Sequence, residues 1–239
     1  MSVPTIIGYE PGHHNTNMDG TIHRLTAEGV YKDQSVIMII PALNTVATKA
    51  ASSWLNLMSP PNGKFVRLFA QNMEVGEAYD QTIQQILSHP DLSKFKYILT
   101  VEADNTVPPD GLMKLIAQMD KHPEYACIGG LYFTKGENGP AHIWGDPKDP
   151  MINFRPQVPI PNTLQECVGT SMGFHLWRME VFKDDRIKWP LFKTCASSTE
   201  GMYSQDLKAW HELRKLGVRC AVDTSVAVGH VDMTSGFVW

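Results

Sequence analysis

No Cys-x-x-Cys pair occurs in this chain. Its four cysteines, Cys127, Cys167, Cys195 and Cys220, are far apart, which argues against a zinc knuckle or a thioredoxin-like redox site. Long hydrophobic runs are also missing. The longest, around Ile37 to Ala42, falls far short of the ~20 residues of a membrane-spanning helix. A basic start followed by an apolar stretch is absent, so no secretory signal is expected. Positive charge is not in excess: 21 basic residues stand against 25 acidic ones, a formal net charge of −4. That removes the global basic field on which sequence-blind nucleic-acid binding depends. Neither an internal repeat nor a low-complexity tract is present. The expectation is a soluble, cytoplasmic protein with no membrane span, and 239 residues are enough for one α/β domain with a full core.

What is present is an alternation of strands and helices. Residues 1–34 are polar, with His13, His14 and His23 but little periodicity, and read as an N-terminal extension. Ser35 to Pro41 is apolar throughout and predicts a strand. Thr45 to Met58 follows as a helix, Phe65 to Ala70 as a strand, and Glu74 to Leu87 as an amphipathic helix. Tyr97 to Val101 is a further apolar strand, and a helix starts after Pro109 and Asp110. Tyr125 to Phe133, with Gly129 and Gly130, is the next strand. This order is the signature of a doubly wound, mostly parallel sheet flanked by helices. Residues 135–165 are rich in proline and glycine and read as a functional loop or lid. Val168 to Arg178 predicts a strand, Glu200 to Leu216 a helix, and Val218 to Val228 a last strand. Trp177 and Trp189, with the proline-rich loop, are candidates for a stacking platform or, equally, for the core.

Three polar features stand out against this frame. Glu102 and Asp104 end the apolar strand Tyr97 to Val101, where open α/β sheets bind ligands. In an extended segment, residues two apart point the same way, so the two acids are positioned to converge. Asp206 lies on the apolar side of its helix. Steps of about 100° from Tyr203 put Leu207 at about 40°, Trp210 at about 340° and Leu213 at about 280°, with Asp206 at about 300°. A carboxylate there must be paired or point into a polar cleft, and raised basicity would suit a general base. Glu200 is a competing acid at the helix entrance. His230 follows an apolar strand and a glycine. One imidazole together with carboxylate and phosphate oxygens suits Mn²⁺ or Mg²⁺.

Four blocks in order resemble glycosyltransferases of the GT-A fold, in particular the family 2 type and phage-encoded relatives. They are Val36 to Asn44, Tyr97 to Pro109, Val168 to Phe182, and Ser204-Gln205-Asp206 followed by Leu216-Gly217 and Val228-Gly229-His230. The resemblance implies a catalytic domain over residues 35–239 that binds a nucleoside-diphosphate sugar. Pro41, Ala42 and Asn44 would line the nucleoside, with Glu102, Ala103 and Gly130 also on the donor side. Asp104 and His230 would hold the divalent ion, and Asp206 would be the base of an inverting transfer. The acceptor is left open among a glycan, a protein and a modified DNA base, and a phage-encoded member would work in the host cytoplasm. In place of the usual first aspartate stands Glu102, and Gln71 and Asn72 stand where an acidic pair is common. A nucleotidyltransferase is the alternative enzyme, but its glycine-rich loop is not found in Ala42 to Lys49. The alternative outside enzymes is a non-catalytic carbohydrate- or partner-binding module.

Overall fold

Apolar strands that lack alternation must be covered on both faces, and β1 (Val36–Ala42) and β3 (Tyr97–Val101) are buried along their whole length. A computed structural model describes residues 32–61, 64–197 and 201–239, together with 23, 26 and 27. The chain divides after Asp33, and the α/β fold belongs to the unit Gln34–Trp239. His13, His14 and Glu200 lie outside the described residues.

After β1 come α1 (Thr48–Leu55), β2 (Phe65–Gln71) and α2 (Val75–Ser88), then β3, β4 (Asn105–Thr106) and α3 (Gly111–Lys121). Next are β5 (Cys127–Leu131), β6 (Ile143–Trp144), β7 (Leu164–Cys167), β8 (Gly169–Thr170), β9 (Phe174–Arg178) and α4 (Met179–Phe182). The chain continues through β10 (Cys195–Ser197), β11 (Gly201–Tyr203), α5 (Gln205–Lys215), β12 (Cys220–Ala227) and β13 (Gly229–His230). Seven strands form the central sheet in the order β2-β1-β3-β9-β5-β12-β7. Strands β2, β1, β3, β5 and β12 run one way, and β9 and β7 run against them. The expected mostly parallel α/β sheet is therefore present, with one antiparallel strand in its middle and one at its edge.

The period-2 geometry of β1 and β3 splits the core in two. Ile37, Ile39 and Ile98 point to one face and pack with Tyr79, Ile83 and Ile86 of α2 and Trp210 and Leu213 of α5. Val36, Met38, Ile40, Tyr97 and Leu99 point to the other face, against Trp54 of α1 and Leu112, Leu115 and Ile116 of α3. Each fully buried aliphatic side chain contributes about 1.5–3 kcal/mol. Trp177 belongs to this core: it is fully buried and stacks on Trp210 with ring centroids 4.8 Å apart. It is therefore no platform for a ligand. No helix among the described residues is long and apolar enough to cross a membrane.

The strand expected over Val168 to Arg178 is broken in two. β8 pairs with β6, whereas β9 enters the central sheet between β3 and β5. Gly173, at the break, passes so close to Tyr132 and Asn105 that a Cβ would lie 2.6 Å from both side chains. The proline-rich 135–165 segment is tied down rather than free-standing. Ile143 and Trp144 pair with Thr170 and Gly169, and Trp144 bridges to Pro156.

A fully buried histidine, His175 of β9, occupies the space that Gly129 leaves: a Cβ on Gly129 would sit 1.9 Å from its ring. Its Nε2 meets Thr170 Oγ1 at 2.6 Å. Burial pushes its pKa down to about 3. The unfolded chain, with an ordinary histidine near 6.5, binds the proton more readily between these two values. This group's contribution to stability is therefore complete above pH ~6.5 and falls by about 1.4 kcal/mol per pH unit as the pH drops towards 3. Urea unfolding from pH 4 to 7 should show a shallower loss of stability on acidification in His175→Gln than in the wild type. Parallel profiles would rule this out.

Candidate functional site

β3 stops at Val101, and the backbone turns at once. The Asn105 N–H donates to Glu102 O at 3.0 Å, so Glu102, Ala103 and Asp104 sit on a turn rather than on an extended strand. The convergence expected from strand alternation is thus produced by a turn. The carbonyl of Gly173, itself next to β9, accepts from the Glu102 N–H at 3.3 Å.

The second link is β4 with β13. Asn105 lies opposite His230, Thr106 lies opposite Gly229, and the Val231 N–H donates to Asp104 O at 2.7 Å. This pairing places a residue from the end of the chain beside the acid at 104. Gly229 is needed for it, because a Cβ would lie 2.3 Å from Thr106 Oγ1 and 2.4 Å from Val238 Cγ1. The tail returns to brace His230 from its other side: Trp239 and His230 exchange both backbone hydrogen bonds at 3.0 Å.

Around Asp104 three side chains meet. Lys135 Nζ lies 2.6 Å from its Oδ2, and His230 Nε2 lies 3.4 Å from the same oxygen. His230 Nδ1 lies 2.9 Å from Phe133 O. A carbonyl only accepts, so Nδ1 carries a proton towards Phe133, and Nε2 is the ring nitrogen that faces Asp104. A backbone carbonyl that orients an imidazole in this way is the usual support of a metal-ligating histidine. Burial disfavours charge on Asp104, but His230 and Lys135 outweigh it and hold the carboxyl below its ordinary range. Among the described residues, no group of three or more His, Cys, Asp or Glu side chains gathers as a ready-made metal cage. The donor set Asp104 plus His230 fits a divalent ion that takes its remaining ligands from water or a substrate's phosphates.

Glu102 behaves differently from Asp104. Burial first, then the charges of Asp206 and Asp104, push its pKa up to about 8, with Lys135 working against them. At neutral pH it is mostly a neutral carboxylic acid, able to donate a hydrogen bond.

Two clefts meet at Glu102. The first, of about 510 Å³, is lined by Pro41, Ala42, Leu43 and Thr45 after β1, by Met73, Glu74 and Val75 at the start of α2, and by Glu102, Ala103, Asp104, His230 and Met233. The second, of about 230 Å³, holds Asp206 together with Glu102, Tyr132, Thr134, His142, Trp144, Ser171, Ser204, Gln205 and Leu207. Asp206 is buried on α5, as its helical position predicted. Its Oδ1 accepts from Ser204 Oγ and from Leu207 N, the latter at 2.9 Å. Burial raises its pKa, against those hydrogen bonds. The chain thus brings together Pro41, Ala42, Glu102, Ala103, Asp104 and His230, and sets Asp206 in the adjoining cleft. Asn44 is exposed and lines neither cleft. Gly130 is buried in β5, where a Cβ would strike Val228 at 2.6 Å, so its part is in packing.

Sequence reasoning passed over Lys135, His142 and Trp144. All three lie in the segment read as a loop, where no periodicity marks a residue's direction. The proximity of Lys135 to Phe133 and the block of aromatic and imidazole residues at 142–144 were the only signals.

No family model matches the chain, and no curated protein matches it. Solved structures do. A197 from STIV superposes with a TM-score of 0.59 at 14% identity, covering 83% of this chain and 86% of that one. GalNAc-T7, crystallised with UDP, GalNAc and Mn²⁺, superposes with a TM-score of 0.56 at 12% identity, covering 85% of this chain and 45% of that one. S. aureus TarS 1-349 matches at a TM-score of 0.45 and 16% identity, over 81% of this chain and 59% of that one. The chain spans only about half the length of these two larger proteins. At such identities the likeness is one of fold, and the fold is GT-A-like.

Proposed function

We propose that the protein is a metal-dependent glycosyltransferase that moves a sugar from a nucleoside-diphosphate donor to an acceptor hydroxyl with inversion. The observation that carries this reading is the meeting of the two clefts at Glu102: one offers Asp104 and His230, the other a buried carboxylate of raised pKa. GalNAc-T7, whose fold this chain shares, holds UDP and Mn²⁺, which supports a nucleotide sugar and a divalent ion here. The donor would lie in the larger cleft, with Pro41 and Ala42 against the nucleoside and Asp104 and His230 towards the diphosphate. An ion bound there, Mn²⁺ or Mg²⁺, would supply Lewis-acid neutralisation of the leaving diphosphate. Lys135 adds a protein cation at the same place. Asp206 would accept the proton of the attacking hydroxyl, and its raised pKa strengthens it as a base. Glu102, neutral at the junction, is suited to donate a hydrogen bond to the donor sugar or its ribose.

The nucleotidyltransferase alternative needs a phosphate-binding loop after β1. The only lysine of Ala42 to Lys49 stands in the first turn of α1 and donates to Gly236 O at 2.6 Å.

Titration calorimetry with UDP, GDP and CDP should show that Mn²⁺ strengthens binding of one of them at least tenfold, about 1.4 kcal/mol. Asp104→Ala should abolish the gain, and equal affinity with and without Mn²⁺ in the wild type would refute the metal assignment. Asp206→Asn should keep that affinity and lose sugar transfer by at least about 100-fold. Transfer at the wild-type rate would remove Asp206 as the base. Gly229→Ala should open the β4–β13 pairing and cost both stability, by about 1–3 kcal/mol, and the Mn²⁺-dependent gain. A variant that melts and binds like the wild type would show that this pairing does not position His230.

A further inference from the structure

The smaller cleft also carries information about what enters it. Its wall is a chain of neutral hydrogen-bonding groups. Gly173 N donates to Tyr132 Oη at 3.0 Å, and Tyr132 Oη donates to Ser171 Oγ. Ser171 Oγ lies 2.6 Å from His142 Nδ1, and His142 Nε2 lies 3.0 Å from Thr134 Oγ1. Thr134, at the exposed rim, ends this row of side chains that can each both donate and accept. Burial holds His142 neutral, with a pKa pushed down to about 4.

The cleft places two carboxyl groups beside the neutral His142 and Tyr132. Glu102 and Asp206 are acids, and no lysine or arginine stands among the described residues that line it. Lys135, the cation beside Glu102, is engaged by Asp104 at 2.6 Å on the side of the larger cleft. A phosphate entering here would lose its hydration with no lysine or arginine among the described lining residues to balance it, which costs more than burying a neutral hydroxyl. One wall is Trp144, partly exposed and tilted against His142 at a centroid distance of 5.5 Å. An aromatic face among hydroxyls, amides and carboxylates matches a ring with one apolar face and a hydroxylated edge. At about 230 Å³ the cleft is smaller than sites for drug-sized ligands, which start near ~300 Å³. It suits a single ring.

We infer that the acceptor is an uncharged saccharide whose terminal ring enters the smaller cleft against Trp144 and presents one hydroxyl to Asp206. This rests on the transferase reading above. In the step, the acceptor oxygen forms a bond to the anomeric carbon and its proton passes to the Asp206 carboxylate. The bond from the anomeric carbon to the nucleoside diphosphate breaks, and the diphosphate leaves with the electron pair. Glycerol-phosphate polymers and nucleic acid, with a charge on every repeat, are disfavoured by the same wall.

Saturation-transfer NMR on the full chain tests this with named probes: maltotriose, cellotriose and N-acetylchitotriose as neutral saccharides, and a glycerol-phosphate oligomer and a thymidine decamer as anionic ones. At least one neutral saccharide should bind and neither anionic probe should. Trp144→Ala should weaken that binding about tenfold or more, while Trp144→Phe retains it and Mn²⁺-dependent nucleotide binding is unchanged in both. Binding of an anionic probe in preference, binding of no neutral saccharide, or equal saccharide affinity in Trp144→Ala would overturn the inference, whatever the nucleotide result. Saccharide binding without any Mn²⁺-dependent nucleotide binding would uphold the saccharide site and bring down the transferase reading instead.

Discussion

The short antiparallel pairing of Asn105–Thr106 with Gly229–His230 is the constraint on which the site depends. It is only two residues long on each side, too short to be stable by itself. It forms because the two segments follow strands of the same sheet, β3 and β12, and because neighbouring groups hold it. Trp54 Nε1 donates to Asn105 O at 2.9 Å, the Asn105 side chain donates to Gly229 O at 3.2 Å, and the tail pairs with His230 from outside. The imidazole and the carboxylate are thereby placed by backbone, not by flexible side chains. Such placement fixes the distance between the two groups more tightly than side-chain rotamers would.

Electrostatics divides the three acids. Asp104 has two basic partners and is held ionised, whereas Glu102 has none within hydrogen-bonding reach and lies between two other carboxylates. Like charges in a buried site cannot all ionise, and the one with the weakest support takes the proton. Asp206 lies between these extremes, its charge partly supported by Ser204 and the start of α5. The same kind of side chain is thereby held ionised at 104, mostly protonated at 102 and raised in basicity at 206.

The proline- and glycine-rich segment builds the other half of the site. Its β6 pairing with β8 carries His142 and Trp144 to the cleft that holds Asp206. Gln157 locks the segment further, its side-chain amide donating to Gly145 O at 2.5 Å and to Glu166 O at 3.2 Å. A stretch with little regular structure thus forms one wall of the cleft, with side-chain hydrogen bonds in place of the missing backbone ladder.

Several parts of this protein follow from local sequence alone. The apolar runs of β1 and β3 demand burial on both faces, which implies a helix-covered sheet. The 3.6-residue period of α5 sets Asp206 on the buried side, and Glu102 and Asp104 follow directly on the end of β3, where the larger cleft opens. The break of Val168 to Arg178 into β8 and β9 was not legible, since it depends on Tyr132 and Asn105 crossing close to Gly173. Nor was the packing role of Gly130, the burial of Trp177 against Trp210, or the arrival of Lys135 at Asp104. Periodicity reports which way a residue faces along its own element. Which distant residue it then meets is decided by loop closure and packing between elements, and that information exists only in the folded chain.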